Sequence, residues 1–231
     1  MNEKAMVLFS GGVDSTTCLG LAIERFGREH VIPLSIVYGQ KHHKEVEAAR
    51  KILEYYGIQG MELDLTPIFA YSDCSLLSHS HSEIPEESYA SQLEKQNGAP
   101  VTTYVPFRNG LFLASAASMA LSLGCSAIYY GAHRDDTAGA AYPDCSEAFL
   151  KSMNDAVYEG SGKALRIEAP FISCNKAQVV KEGLRLKVPY ELTWSCYEGG
   201  DTPCGRCGTC LDRQKAFAEN GVPDPALACS I

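Results

Sequence analysis

At 231 residues the chain is long enough for one substantial core, or one core with a small appendix. Its 45% hydrophobic and 21% charged residues suit a soluble globular protein, and a formal charge of -8 argues against a large nucleic-acid footprint, which requires clustered Lys and Arg. The start is short and polar, and the most apolar stretch, 110–123, is too short for a membrane span and broken by serines, so the sequence predicts a soluble cytoplasmic protein without a signal peptide.

Residues 5–9 read as a short buried strand, broken by Ser10-Gly11-Gly12. Asp14 or Ser15 is expected to cap a helix running to about residue 25. Residues 31–37 form a second apolar run. Val46, Ala49, Ile52, Leu53 and Tyr56 then recur at helical spacing over 44–56, and Gly57 ends that helix. A weaker third strand follows at 61–65. The stretch 66–106 is rich in Ser, His, Glu and Pro and lacks periodicity, as expected of a functional cover or a disordered segment. Residues 108–123 read as a helix apolar on nearly all sides and therefore buried, and 126–130 as a fourth strand. A helix over 145–159, a strand near 165–169, a helix over 176–186 and a last helix over 211–220 complete the chain. Strands alternating with single helices predict a parallel sheet covered on both faces.

Two places in this pattern carry chemistry. The first is Ser10-Gly11-Gly12-Val13-Asp14-Ser15, between the first strand and the first helix. An open parallel sheet presents ligands at the carboxyl ends of its strands. Glycines let the backbone approach a ligand closely, and successive N–H groups with a helix start make a cradle for phosphate oxygens, reinforced by the Ser10, Ser15 and Thr16 hydroxyls. The Lys-bearing G-x-x-x-x-G-K-[ST] phosphate loop is absent.

The second place is the tail. Of ten cysteines, which a reducing compartment keeps as thiols, Cys196, Cys204, Cys207 and Cys210 fall together with the spacing C-x7-C-x2-C-x2-C. Four soft ligands that can converge on one centre predict a closed, structural Zn²⁺ site, with an iron–sulfur cluster as the alternative. Backbone N–H groups and Arg206 are expected to offset its negative charge. The other cysteines are dispersed and read as packed hydrophobes.

The hexapeptide with the following Thr16 resembles the signature of the ATP-pyrophosphatase (PP-loop) superfamily. Tyr38-Gly39-Gln40-Lys41-His42, Val105-Pro106-Phe107-Arg108-Asn109, Gly131-Ala132-His133, Tyr142-Pro143-Asp144-Cys145 and Trp194-Ser195-Cys196-Tyr197 extend the resemblance to its 7-cyano-7-deazaguanine synthase family, from Phe9 to about Phe217. Lys41 stands where Arg is common in that family.

The resemblance implies a doubly wound α/β fold of the adenine nucleotide alpha-hydrolase-like kind. Residues 1–190 would form the ATP-binding domain, and 191–231 a zinc-binding element packed on it. It also implies conversion of 7-carboxy-7-deazaguanine, ammonia and ATP to the nitrile on the route to queuosine, through an adenylated carboxylate and an amide, in a homodimer. The nucleotide site is then framed by Leu8, Phe9, Ser10, Gly11, Gly12, Val13, Asp14, Ser15, Thr16, Thr17 and Cys18, with Asp14 organising Mg²⁺. Arg108 and Lys176 are candidates for stabilising phosphoryl charge, His42 and His133 for moving protons or gating, and Tyr142, Asp144 and Cys145 for lining the deazaguanine pocket. A related amidating ligase and a tRNA-thiolating enzyme are the competing functions, the second disfavoured by the acidic charge.

Overall fold

The computed structural model describes residues 3–41, 43–82, 103–135 and 142–228. Five parallel strands, β1 (Lys4–Leu8), β2 (Val31–Val37), β3 (Met61–Asp64), β4 (Cys125–Tyr129) and β5 (Arg166–Glu168), lie in the order β3-β2-β1-β4-β5. The order reverses direction at β1, so the crevice between the carboxyl ends of β1 and β4 is the topological switch point where such sheets bind ligands.

The strands are short and apolar because both faces are covered. One face carries α4 (Arg108–Ser122) and α5 (Glu147–Gly160), packed on Met6, Leu8, Leu34, Ile128 and Ile167. The other carries α1 (Val13–Phe26), α2 (Lys44–Tyr56) and α6 (Lys176–Arg185), whose Leu19, Ala49, Ile52 and Val179 meet Ala5, Val7, Val31 and Ala127. A single-turn helix, α3 (Thr66–Phe69), follows β3. Beyond it, Tyr38, Leu65, Phe69, Leu76, Leu77 and Val105 form a satellite cluster at the carboxyl end of the sheet. The segment after α6 adds α7 (Gly208–Glu219), which sets Ala216 and Phe217 against Val180, Val188 and Tyr190, and the short α8 (Pro225–Ala228).

Local chemistry explains the boundaries. The Asn175 side chain accepts from Gln178 N while Gln178 returns a bond to Asn175 N, both at 2.8 Å, a reciprocal cap that starts α6. Ser146 caps α5 by accepting from Phe149 N, so that helix begins after a tight turn at Pro143–Cys145 rather than at residue 145. Gly57, in the left-handed region, stops α2 where expected.

Three expectations need correction. Helix α1 is started by Gly12, in extended conformation, and not by Asp14 or Ser15, which lie inside its first turn. Helix α4 is not buried all round: Leu113, Ala116 and Ala120 face the sheet while Leu121 is 41% exposed, because the layer covers one side only. Helix α7 begins at Gly208, not residue 211, placing Cys207 at its cap and Cys210 in its first turn.

Candidate active site and metal centre

At the switch point the chain leaves β1 and turns sharply. Gly11 has φ +85°, and a Cβ there would stand 2.6 Å from Ala49 N and 2.7 Å from Glu45 O on α2, so only glycine lets the bend nest against that helix. Serine hydroxyls stitch the bend: Ser10 N donates to Ser15 Oγ at 3.2 Å, Gly12 N to Ser10 Oγ at 3.3 Å, and Ser15 Oγ to the Gly12 carbonyl at 3.2 Å. The amino end of α1 faces the same opening. From the β4 side, Gly131 packs closely enough that a Cβ would sit 3.2 Å from Ser15 N.

The bend forms one wall of a cavity of about 920 Å³, within the range of small-ligand sites. Asp14 projects into it from the first turn of α1. One carboxylate oxygen is ion-paired with Lys176 Nζ, and Oδ1 lies 3.7 Å from His133 Nε2. Oδ1 is buried and makes no hydrogen bond. Burial pushes the Asp14 carboxyl up, but Lys176 and His133 outweigh it and hold the group below the usual carboxylate range. Lys176 is fixed in turn by its backbone, which donates to Asp135 Oδ2 at 2.8 Å. The arrangement presents cations and N–H donors around an ionised carboxylate, a setting suited to polyanionic phosphate with a divalent cation.

The opposite wall is aromatic. Arg108, at the start of α4, lies 5.2 Å from the Tyr38 ring centroid and 5.9 Å from that of Phe112, and its Nη1 donates to Tyr38 Oη at 3.4 Å. Burial would lower the Arg108 pKa, but its anionic-type neighbours, Tyr38 first, raise it further, so the guanidinium stays charged. The Tyr38 hydroxyl is pushed up to about 12 by burial. Tyr142, its hydroxyl 2.7 Å from Thr103 Oγ1, and Cys145, whose sulfur accepts from Asn109 Nδ2 at 3.2 Å, complete this side.

Below the cavity the four tail sulfurs of Cys196, Cys204, Cys207 and Cys210 lie within 4.8 Å of one another. A tetrahedral metal with bonds of ~2.3 Å needs sulfurs roughly 3.8 Å apart, so the cluster can hold one. Backbone N–H groups of Glu198 and Cys204 point to Cys196 Sγ at 3.4 and 3.3 Å, and Cys207 N to Cys204 Sγ at 3.3 Å, which supports thiolates. Hydrogen bonds from Cys196 and Cys210 hold Cys207 well below the ordinary thiol range. The Arg206 side chain is exposed. The cluster is tied to the bend: Trp194 N donates to the Gly11 carbonyl at 3.0 Å, and Trp194 Nε1 to the Cys196 carbonyl at 2.8 Å.

The family described as queuosine biosynthesis protein QueC matches residues 4–221. This chain belongs to that family. A 7-cyano-7-deazaguanine synthase of Archaeoglobus fulgidus is 40% identical over 226 residues, 97% of this chain and 90% of its own length. Another, from Caldicellulosiruptor bescii, is 41% identical over 222 residues, 96% of each chain. The chain is thus a biosynthetic enzyme of a family of synthases. Among solved structures, the NMN synthetase of Francisella tularensis aligns with a TM-score of 0.52 and 16% identity over 96% of this chain and 78% of its own, a likeness of fold.

Most residues singled out from sequence converge on the cavity. Leu8, Phe9, Ser10, Gly12, Val13, Asp14, Ser15, Arg108, His133, Tyr142, Cys145 and Lys176 line it. Gly11 turns toward α2 instead. Thr16 and Thr17 are fully buried, their hydroxyls returned to the Gly12 and Val13 carbonyls at 2.6 and 2.8 Å, and Cys18 sits in the core. Their side chains therefore anchor α1 and are not part of the cavity lining. Asp144 is likewise displaced from the lining: its Oδ2 accepts from Asn109 N at 2.8 Å, holding the start of α4. His42 lies outside the described residues. Sequence reasoning quoted Trp194 for the resemblance without giving it a role, and missed Glu45 and Asp212; all three line the cavity. Glu45 reads as an ordinary first-turn helix acid, and the others belong to the tail, where the cysteines dominate the signal. Among the described residues no helix is long and apolar enough to cross a membrane.

Proposed function

We propose that the chain converts 7-carboxy-7-deazaguanine, ammonia and ATP into 7-cyano-7-deazaguanine. One observation carries the reading: a phosphate-type bend at the switch point and an aromatic, arginine-bearing wall face each other across a single cavity of about 920 Å³. That is room for a triphosphate and a flat heteroaromatic acid side by side. The family membership supplies the substrate class.

A carboxylate resists attack because its oxygens are poor leaving groups. Transfer of AMP to the acid makes a mixed anhydride with a good one, and releases pyrophosphate. The backbone donors of the bend and the start of α1 receive the outer phosphates, while Lys176 and Arg108 lie where phosphoryl charge develops. Asp14 would hold Mg²⁺, since its Oδ1 is a buried carboxylate oxygen with no hydrogen bond. The ion, when bound, offsets charge on the phosphates. Tyr142 offers a ring edge to the deazaguanine, with Cys145 beside it. His133 stands next to Asp14 as a proton carrier, with His42 as a second. Attack by ammonia gives the amide, and a second activation of the amide oxygen allows its loss and formation of the nitrile. The four tail cysteines would hold Zn²⁺, whose contribution when bound is to cross-link the segment under the bend.

The same reading takes the enzyme as a cytoplasmic homodimer, which sedimentation equilibrium checks. Incubation with 7-carboxy-7-deazaguanine, ammonium and MgATP, followed by mass spectrometry, should yield the nitrile with AMP and pyrophosphate. Accumulation of amide alone would favour an amidating relative, and absence of both products would reject the substrate.

A further inference from the structure

The reaction proposed above needs ammonia, yet at neutral pH the nitrogen arrives as ammonium, which has no lone pair. Some group in the cavity must hold the cation and take one proton. The acids near the cavity are mostly committed. Asp14 is ion-paired to Lys176, Asp135 accepts from Lys176 N, Asp144 accepts from Asn109 N, Glu219 pairs with Lys215 at 3.9 Å, and Asp212, though raised by burial, lies in the joint field of three cationic-type groups, Lys176, His133 and Lys215.

Glu45 is different. It lines the cavity from the first turn of α2 and is partly buried, and among the described residues neither a hydrogen bond nor an ion pair reaches its carboxylate. Its backbone carbonyl packs against Gly11, so this residue adjoins the bend proposed above to take the outer phosphates. Across the opening stand Arg108 and Tyr38, the charged and titratable groups whose fields reach it, with Arg108 beyond ion-pair distance. A carboxylate on a half-dry wall without a counter-ion attracts a small cation, and ammonium is the cation this chemistry supplies. Burial also pushes its carboxyl up to about 7, against the opposing pull of Arg108, which matches the proton affinity a base needs near neutral pH.

We infer that Glu45 is the ammonium-binding residue and general base of the amidation step, an assignment that rests on the function proposed above. One N–H bond of ammonium breaks as its proton passes to the Glu45 carboxylate. The freed nitrogen lone pair forms the C–N bond, the C–O bond to AMP breaks with its electron pair leaving on AMP, and a second proton from nitrogen goes to solvent.

The test uses the full-length enzyme and Glu45→Gln, with Glu45→Asp as a second variant. Single-turnover pyrophosphate release from MgATP and 7-carboxy-7-deazaguanine without ammonium should survive in Glu45→Gln. Its kcat/KM for ammonium should fall by about 10²-fold or more, and Glu45→Asp should recover part of it. Plotted against pH at fixed total ammonium, the wild type should level off above neutrality. Glu45→Gln should keep climbing with the fraction of free ammonia. An unchanged ammonium dependence in Glu45→Gln would overturn the assignment while leaving the enzyme's function in place, and so would loss of the pyrophosphate burst, which would put Glu45 in the activation step. A wild type that releases no carboxylate-dependent pyrophosphate would overturn the function itself, and the assignment with it.

Discussion

Substitution of the two neighbouring glycines of the bend separates conformational need from mere proximity to a ligand. At Gly11 the backbone has φ +85°, a region that costs an L-residue about 1–2 kcal/mol. An added methyl would also meet Ala49 N at 2.6 Å and Glu45 O at 2.7 Å, backbone atoms of a packed helix that cannot swing aside. Overpacking of that kind adds about 1–3 kcal/mol. Gly11→Ala should therefore lose roughly 2–5 kcal/mol of stability. At Gly12 the backbone is extended, with φ -80°, and the nearest atom to an added Cβ is the Ser10 hydroxyl at 3.3 Å, which can rotate. Gly12→Ala should cost about 1 kcal/mol or less, the loss of a favourable helix-cap residue. Urea unfolding followed by circular dichroism measures both, and the Gly11→Ala midpoint should drop by roughly 1 M. Equal midpoints for the two variants would refute the argument that the bend is wedged against α2.

Asp14→Asn should cut nitrile formation by about 10²-fold or more with the fold retained. Because the Asp14 carboxyl sits below its unfolded value, its pairing stabilises the fold at neutral pH and is lost as the pH falls beneath the carboxylate range. The stability gap between wild type and Asp14→Asn should accordingly narrow in acid denaturation. Cys207→Ser should release bound metal, as read by metal analysis, and lower the melting temperature; a metal-replete variant of wild-type stability would contradict a structural centre. Arg213, 4% exposed, donates to both Asp224 oxygens at 2.8 and 2.9 Å and to the Tyr190 carbonyl at 3.0 Å. Arg213→Met should cost ~3–5 kcal/mol by stranding Asp224, and adding Asp224→Leu should restore much of it in a double-mutant cycle.

The parts of this molecule written in apolar spacing were legible. Val31–Val37 and Lys44–Tyr56 match the sequence expectation residue for residue, because buried strands and one-sided helices declare themselves through periodicity. The start of α1 did not, since Asp14 and Ser15 are good capping types and only the fold shows that Gly12 takes the cap and leaves both side chains for the cavity. The motif residues were found by resemblance, but a motif does not say which way a side chain faces. Thr16 closes the motif and Thr17 and Cys18 follow it, yet all three are buried in the core, and Asp144 secures a helix behind the wall. Glu45 escaped notice for the converse reason: nothing in its neighbourhood along the chain marks it, and its surroundings arise from Gly11, Tyr38 and Arg108, which folding brings from three other segments.

The bond from Trp194 N to the Gly11 carbonyl joins the cysteine segment to the glycine bend through main chain alone. The bond depends on backbone at both ends: a proline at 194 would remove the donor, and any side chain at Gly11 would push the bend off α2 and with it the accepting carbonyl. Should metal and nucleotide both bind, linkage would run in both directions: a nucleotide that changed the affinity of the sulfur centre for metal would have its own affinity changed by the same factor. Metal affinities measured at equilibrium with and without nucleotide would give that factor, and would make the tail a reporter of occupancy in the cavity.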